Sequence, residues 1–475
     1  MVADRRMNST SLVKLLGDWR RQSARGTGTA LGERISLLIR DGRLPFGTRL
    51  PPERDLAVQL GISRTTVAAV YDELRTNGHL QSRQGSGTWV TLTDGGADPG
   101  ATPWYPGGSQ AIFDLTHAAL PPPAQLMREM VERSVGLLPQ FTCDHGYHLF
   151  GLSGLREAIA RRFTARGLPT HAGQILVTTG AQSALALSLA ITLRPGSRVL
   201  IDHPTYPNAI SAIRNWGGRS IPVEMTSEGW DLEKWQEGAH EARPDLLYVC
   251  ADFHNPTGLV LPRTLRAKMI DIARLCGAPL VVDETLAETM IDDEAPTPIA
   301  AFGRDSAAVI TIGSLSKIFW GGLRVGWMRA PEPLVAKAAA IKASMDMATP
   351  VFDQLVATDV VDQLPTIIAA RRKELFLARK DLLEGLGEVL PAWRVTTPLG
   401  GMSAWVDLGQ PVASRLAEVS SRFGVAITPG SLFGIDGSFE DRIRLPFRLD
   451  SRALKDALRR LSLALDSIGP RAMAG

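Results

Sequence analysis

Between residues 29 and 90 hydrophobic positions recur at helical spacing in short blocks. Leu31, Ile35, Leu38 and Ile39 share one helical face, which Asp41-Gly42 ends. Pro45 and Gly47 turn the chain toward a second short helix that opens at Glu53, with Leu56, Ala57 and Leu60 inward and Gly61 at its end. Ser63 then caps a third helix whose buried stripe is Val67, Tyr71 and Leu74. Leu80–Arg83, a turn Gln84-Gly85-Ser86-Gly87, and Thr88–Val90 read as two short strands around a tight tip. Helix, helix-turn-helix and hairpin in that order predict a winged helix-turn-helix.

From Phe113 onward the pattern changes. Gln174–Thr178, Arg198–Ile201, Leu246–Cys250, Pro279–Val282 and Ala308–Ile312 are continuous apolar runs separated by helical patterns. Such strands are buried on both faces, which predicts a largely parallel α/β sheet. Chemistry in such sheets gathers at the carboxyl ends of the strands. Between the two regions, residues 93–112 are rich in Gly, Pro, Asp and Thr without periodicity, the pattern of a flexible linker. The expected organisation is 1–92, linker 93–112, and a second domain over 113–475.

Composition sharpens this picture only in its charge. A chain of 475 residues with 44% hydrophobic and 21% charged positions is ordinary for a globular protein of two or three domains. Net charge is +3, but residues 1–90 hold 14 Lys/Arg against 8 Asp/Glu, leaving −3 for the rest. A basic end on a slightly acidic body is expected of a nucleic-acid-binding appendage. Three scattered cysteines, Cys143, Cys250 and Cys276, fit reduced thiols better than a disulfide framework. No apolar stretch opens the chain, and the run Ser183–Leu193 falls short of the roughly 20 residues that span a bilayer. A cytoplasmic protein without membrane contact is expected.

The third helix begins with Arg64, Thr65 and Thr66, which point away from its buried stripe. Residues at the start of a recognition helix reach base edges in the major groove, where arginine binds guanine bidentately. Threonine hydroxyls and helix-start amides suit phosphates. Double-stranded DNA is the expected partner.

The strand ends of the second region carry a different chemistry. Gly180-Ala181-Gln182, Asp202–Tyr206, His254-Asn255, Asp283 and Ser314-Leu315-Ser316-Lys317 each follow an apolar run, in the order of a pyridoxal 5'-phosphate pocket. Lys317 would anchor the cofactor aldehyde as a Schiff base. Gly180, Ala181 and Gln182 open a helix whose amides suit a phosphate, with Ser314, Ser316 and Arg324 adding hydroxyls and charge. Asp283 would pair with the pyridinium nitrogen, Asn255 would donate to the phenolic oxygen, and Tyr206 would stack on the ring. Taken singly each has a plainer alternative, since an Asp after a strand usually caps a helix and a strand-end Lys is usually solvated. Five in order point to the cofactor.

Gly42–Ala57, Gly61–Val67 and Leu80–Val90 resemble the DNA-binding domain of the GntR family over residues 29–90. The resemblance implies DNA contacts at Arg54, Arg64, Thr65, Thr66, Gln84 and Gly85, with Ala68 standing where some relatives carry a further arginine. Asn255-Pro-Thr-Gly258, Ser314–Lys317, Gly322–Gly326 and Gly151–Arg156 are similar to motifs of fold-type I aminotransferases. That resemblance covers roughly 113–470 and implies a large mixed, mostly parallel sheet plus a small C-terminal α+β subdomain. It also implies that Arg444, in Arg444-Leu-Pro-Phe447, holds a substrate or effector carboxylate. Joined, the two parts resemble the MocR subfamily of regulators, which implies a homodimer that binds pyridoxal 5'-phosphate and an amine or amino-acid effector. Two departures stand out. Thr285 and Leu286 occupy the place of a tyrosine common after the aspartate, which weakens the case for efficient transamination, and Tyr147 lies one residue off the register that reaches a partner subunit's phosphate. The expectation is a regulator. Its alternative is a working aminotransferase with an accessory DNA module.

Overall fold

The computed structural model describes residues 6–17, 19–21, 26–40, 43–44, 47–76, 78–83, 87–91, 112–292, 295–303, 308–435 and 437–469. The expected linker, 93–112, therefore lies outside the described residues except for Ile112. Two compact units do not follow chain order. One gathers 1–116, 408–443 and 459–475, and the other 117–407 and 444–458.

The first unit contains the winged helix-turn-helix. Its helices are Thr27–Arg40, Glu53–Leu60 and Arg64–Thr76, and Leu80–Arg83 pairs antiparallel with Gly87–Val90. Leu31, Ile35, Leu38, Leu56, Leu60, Val67, Tyr71 and Leu74 share one core, as their spacing predicts. Gly61 ends the middle helix at φ 63°, a left-handed conformation that costs glycine little. The sequence pattern did not suggest a further helix, Ser9–Leu16, capped by the Asn8 side chain, which accepts from Ser11 N at 2.8 Å. Its Leu12 and Leu16, with Trp19, enter the same core. Also in this unit, Phe113–Leu115 pairs parallel with Val425–Pro429, and Glu440 accepts from the Ser414 amide at the start of the helix Ala413–Arg422. Arg34 and Arg43 approach the same Glu440 carboxylate at 3.8 and 3.7 Å.

The second unit is built on a seven-stranded sheet: β1 (Ile175–Thr178), β2 (Arg198–His203), β3 (Arg219–Glu224), β4 (Leu246–Val249), β5 (Leu280–Asp283), β6 (Val309–Ser314) and β7 (Gly326–Arg329). Their spatial order is β1-β7-β6-β5-β4-β2-β3. All pairs from β3 to β6 are parallel, and β7 runs antiparallel between β1 and β6. The five apolar runs appear as β1, β2, β4, β5 and β6, each buried at most of its positions. The sequence pattern did not mark β3 and β7. An edge strand carrying Arg219, Pro222 and Glu224, and a four-residue strand ending in Arg329, lack a continuous apolar signal. Among the described residues no helix is long and apolar enough to cross a membrane.

Candidate cofactor pocket and DNA face

Lys317 follows β6 in a tight turn, and its ammonium donates to the Ala118 carbonyl at 2.9 Å. Burial lowers its pKa to about 8, the charge of Arg444 pushes the same way, and Asp283 opposes both. Asp283 ends β5, and burial raises its carboxyl above the usual range. It accepts from the Thr285 amide at 2.9 Å, from the Thr285 hydroxyl, and from the Tyr248 hydroxyl at 3.0 Å. Tyr206, just beyond β2, accepts from Asn208 Nδ2 at 2.9 Å; burial pushes its phenol up to about 12, and the charges of Asp283 and Arg444 act on it in opposite senses. Buried Arg444 donates to Asn255 Oδ1 at 3.5 Å. Lys317, Asp283, Tyr206, Asn255 and Arg444 thus converge at the carboxyl ends of the parallel strands.

The second cluster lies at the start of the helix Ala181–Thr192. Gly180 caps it at φ 92°, and a Cβ there would stand 2.7 Å from Arg324 Nη2. The glycine lets that guanidinium lie against the helix start, where it donates to the Thr179 carbonyl at 2.9 Å. Ser314 and Ser316 hydroxyls are 2.8 Å apart. The Ala181 and Gln182 amides, in the first turn, have no acceptor within the helix and face outward with the positive end of its dipole. The Gln182 side chain is exposed, so its amide alone belongs to this cluster. Helix-start amides, two hydroxyls and a guanidinium suit a phosphate dianion, and a half-buried aspartate and lysine suit an aldehyde-bearing pyridine. Among the described residues the buried Thr205 hydroxyl, beside Tyr206, has no hydrogen-bond partner, a further sign of a site shaped for a polar ligand. The residues present fit pyridoxal 5'-phosphate.

Tyr147 does not join this pocket within the chain. It is 60% exposed and stacks on His145 with ring centroids 5.7 Å apart. Sequence reasoning passed over Tyr248. The signal was present, because a tyrosine inside a continuous apolar strand needs a buried partner for its hydroxyl.

On the DNA module, Ser63 Oγ accepts from the Thr66 amide at 3.0 Å and lies 2.7 Å from both the Thr65 and Thr66 hydroxyls. One residue therefore caps the recognition helix and orders two of its leading side chains. Arg64 and Arg54 are exposed, with Arg64 3.8 Å from Glu53. Gln84 and Gly85 lie outside the described residues. Arg49, also passed over by the sequence reading, stacks 5.6 Å from the centre of the Trp89 ring, and a Cβ on Gly87 would meet it at 2.6 Å.

Residues 131–461 match the family described as aminotransferase class I and II, and residues 27–90 match the gntR family of bacterial regulatory proteins. An uncharacterized HTH-type transcriptional regulator of Bacillus subtilis (strain 168), YisV, is 27% identical over 469 residues, 91% of this chain and 94% of its own. The 2-aminoadipate transaminase of Thermus thermophilus is 28% identical over 351 residues, 73% of this chain and 85% of its own. The crystal structure of LysN, an alpha-aminoadipate aminotransferase from Thermus thermophilus complexed with N-(5'-phosphopyridoxyl)-L-leucine, is similar with a TM-score of 0.70 at 27% identity, over 75% of this chain and 92% of that one. The chain belongs to the class I and II aminotransferase family and, with its gntR-family domain fused ahead of it, to the MocR subfamily of GntR-type transcription regulators.

Proposed function

We propose that this protein is a DNA-binding regulator whose sensor is the pyridoxal 5'-phosphate pocket, responding to the cofactor itself or to an amine or amino acid. The observation that carries the reading is the convergence of Lys317, Asp283 and buried Arg444 in one pocket on a chain that also exposes Arg64 at a capped recognition helix. Bound there, pyridoxal 5'-phosphate supplies an aldehyde for capturing amines and an electron-withdrawing ring. Lys317, with its amine partly neutral near pH 8, is the attaching nucleophile. Asp283 holds the proton of the ring nitrogen, and Asn255 donates to the phenolic oxygen. The Gly180–Gln182 helix start, Ser314, Ser316 and Arg324 grip the phosphate, while Tyr206 covers the ring. Arg444 presents a planar fork to an effector carboxylate.

On the DNA side, Arg64 reads a base edge while Arg54, Thr65 and Thr66 position the helix on phosphates, with Gln84 and Gly85 at the wing. The working division is 1–92 for DNA, 93–112 as linker and 113–475 for sensing and dimerisation in the cytoplasm. A homodimer would set the spacing of two DNA modules, and exposed Tyr147 would complete the partner subunit's phosphate site. The complete lysine, aspartate and arginine set also supports a residual transamination half-reaction, the observation that favours the enzyme reading. The test is a binding titration of a duplex selected by the protein from a random pool, with cofactor-free and pyridoxal 5'-phosphate-loaded protein. A change in affinity or preferred half-site spacing supports the regulator, and identical curves for both forms, with or without added amino acids, refute it.

A further inference from the structure

Asp283 is the one carboxylate whose charge the cofactor ring requires, and burial works against that charge. Thr285 supplies two donors to Oδ1, its amide at 2.9 Å and its hydroxyl. The other oxygen, Oδ2, accepts from the hydroxyl of Tyr248, 3.0 Å away on the neighbouring strand β4. We propose that Tyr248 is a positioning residue that keeps Asp283 ionised and turned toward the cofactor's ring nitrogen. The inference rests on the cofactor reading above.

Three observations carry it. Tyr248 is fully buried in a strand whose every residue is buried, so its hydroxyl has to be satisfied from inside the protein. The two strands are in parallel register, with Tyr248 opposite Val281, which places the phenol level with the end of β5. Burial also raises the phenol far above its ordinary range, so Tyr248 remains a donor throughout the working pH range. The other groups facing this carboxylate do not duplicate the role. Lys317 contributes charge without a hydrogen bond to it. Cys250, 3.3 Å from the Tyr248 oxygen, is held protonated by burial. Tyr206 feels the charges of Asp283 and Arg444, and its own hydroxyl accepts from the Asn208 side-chain amide. Tyr248 thus offsets part of the burial penalty on the aspartate from outside the cofactor's own contact surface.

The test uses pyridoxamine 5'-phosphate, which bears the same ring but cannot condense with Lys317, so the lysine's own chemistry drops out. Its affinity for the full-length, cofactor-stripped protein is measured by fluorescence across pH. Ring-nitrogen pairing is lost as pH falls through the Asp283 pKa, which gives the affinity curve an acid limb. Tyr248→Phe keeps the ring's packing and removes only the donor. A hydrogen bond to a charged group corresponds to about one to two pKa units, so the limb should move to higher pH by about that amount. Affinity on the plateau above the limb should match the wild type, which checks that the variant folds. Asp283→Asn should show no such limb. A Tyr248→Phe limb at the wild-type pH overturns the proposal. Absence of binding by the wild type would instead remove the cofactor reading, so the two failures are distinguishable.

Discussion

Arg444 and Lys317 share one pocket, and the positive charge of the arginine adds to desolvation in holding the lysine amine at about pKa 8. Such an arrangement does two things at once. It makes the lysine a competent nucleophile near neutral pH, and it keeps a cation where an effector carboxylate would arrive.

A pH dependence follows. Only the neutral amine attacks an aldehyde, so capture of pyridoxal 5'-phosphate by the wild type should rise with pH through a midpoint near 8. Arg444→Ala removes a neighbouring positive charge and makes the protonated lysine less costly. The midpoint should therefore move upward, toward the ordinary lysine value. Rapid-mixing absorbance of the visible band measures it, and an unchanged or lowered midpoint would contradict the shared pocket.

Lys317→Ala should lose the band that resists dialysis. After borohydride treatment the wild-type peptide containing Lys317 should carry the cofactor's mass, and the variant should carry none at any lysine. A labelled peptide elsewhere in the chain would reassign the anchor.

Arg64→Ala should weaken binding to a selected duplex by about 1–3 kcal/mol, roughly 5- to 150-fold, and relax preference at one base. Its visible band should be intact, because the cofactor residues belong to a different compact unit. Unchanged affinity and sequence preference in a mobility-shift titration would take Arg64 off the reading face.

Most of this architecture was legible because its signals are local. The stripe Val67, Tyr71 and Leu74, the cap Ser63, and the run Ser314–Lys317 each announce themselves within a dozen residues. What escaped is non-local. Tyr248 reads as one more apolar strand residue until β5 places Asp283 beside it. Thr285 reads as a missing tyrosine, yet its hydroxyl and amide both serve Asp283. The helix Ser9–Leu16 offers only two turns of pattern, and its burial depends on a core assembled from residues further along the chain.

That helix supports a stability prediction. Leu16 is fully buried in the DNA module's core, and its backbone carbonyl accepts from Arg34 Nε at 3.1 Å. Leu16→Ala should destabilise the module by about 2–5 kcal/mol. Limited proteolysis should then cut within residues 6–91 while the cofactor band persists. Equal resistance of wild type and variant would show that the helix is dispensable.

The central claim is that the pocket speaks to the DNA face, and Arg444→Ala tests it most directly. The measurement is operator affinity of pyridoxal 5'-phosphate-loaded wild type and variant, each with and without the amino acid that shifts the wild-type absorbance. The wild type should change its affinity on adding the amino acid, whereas the variant should keep its cofactor band and show no change in either absorbance or DNA binding. An amino-acid-dependent change in DNA affinity that survives in Arg444→Ala would contradict the account.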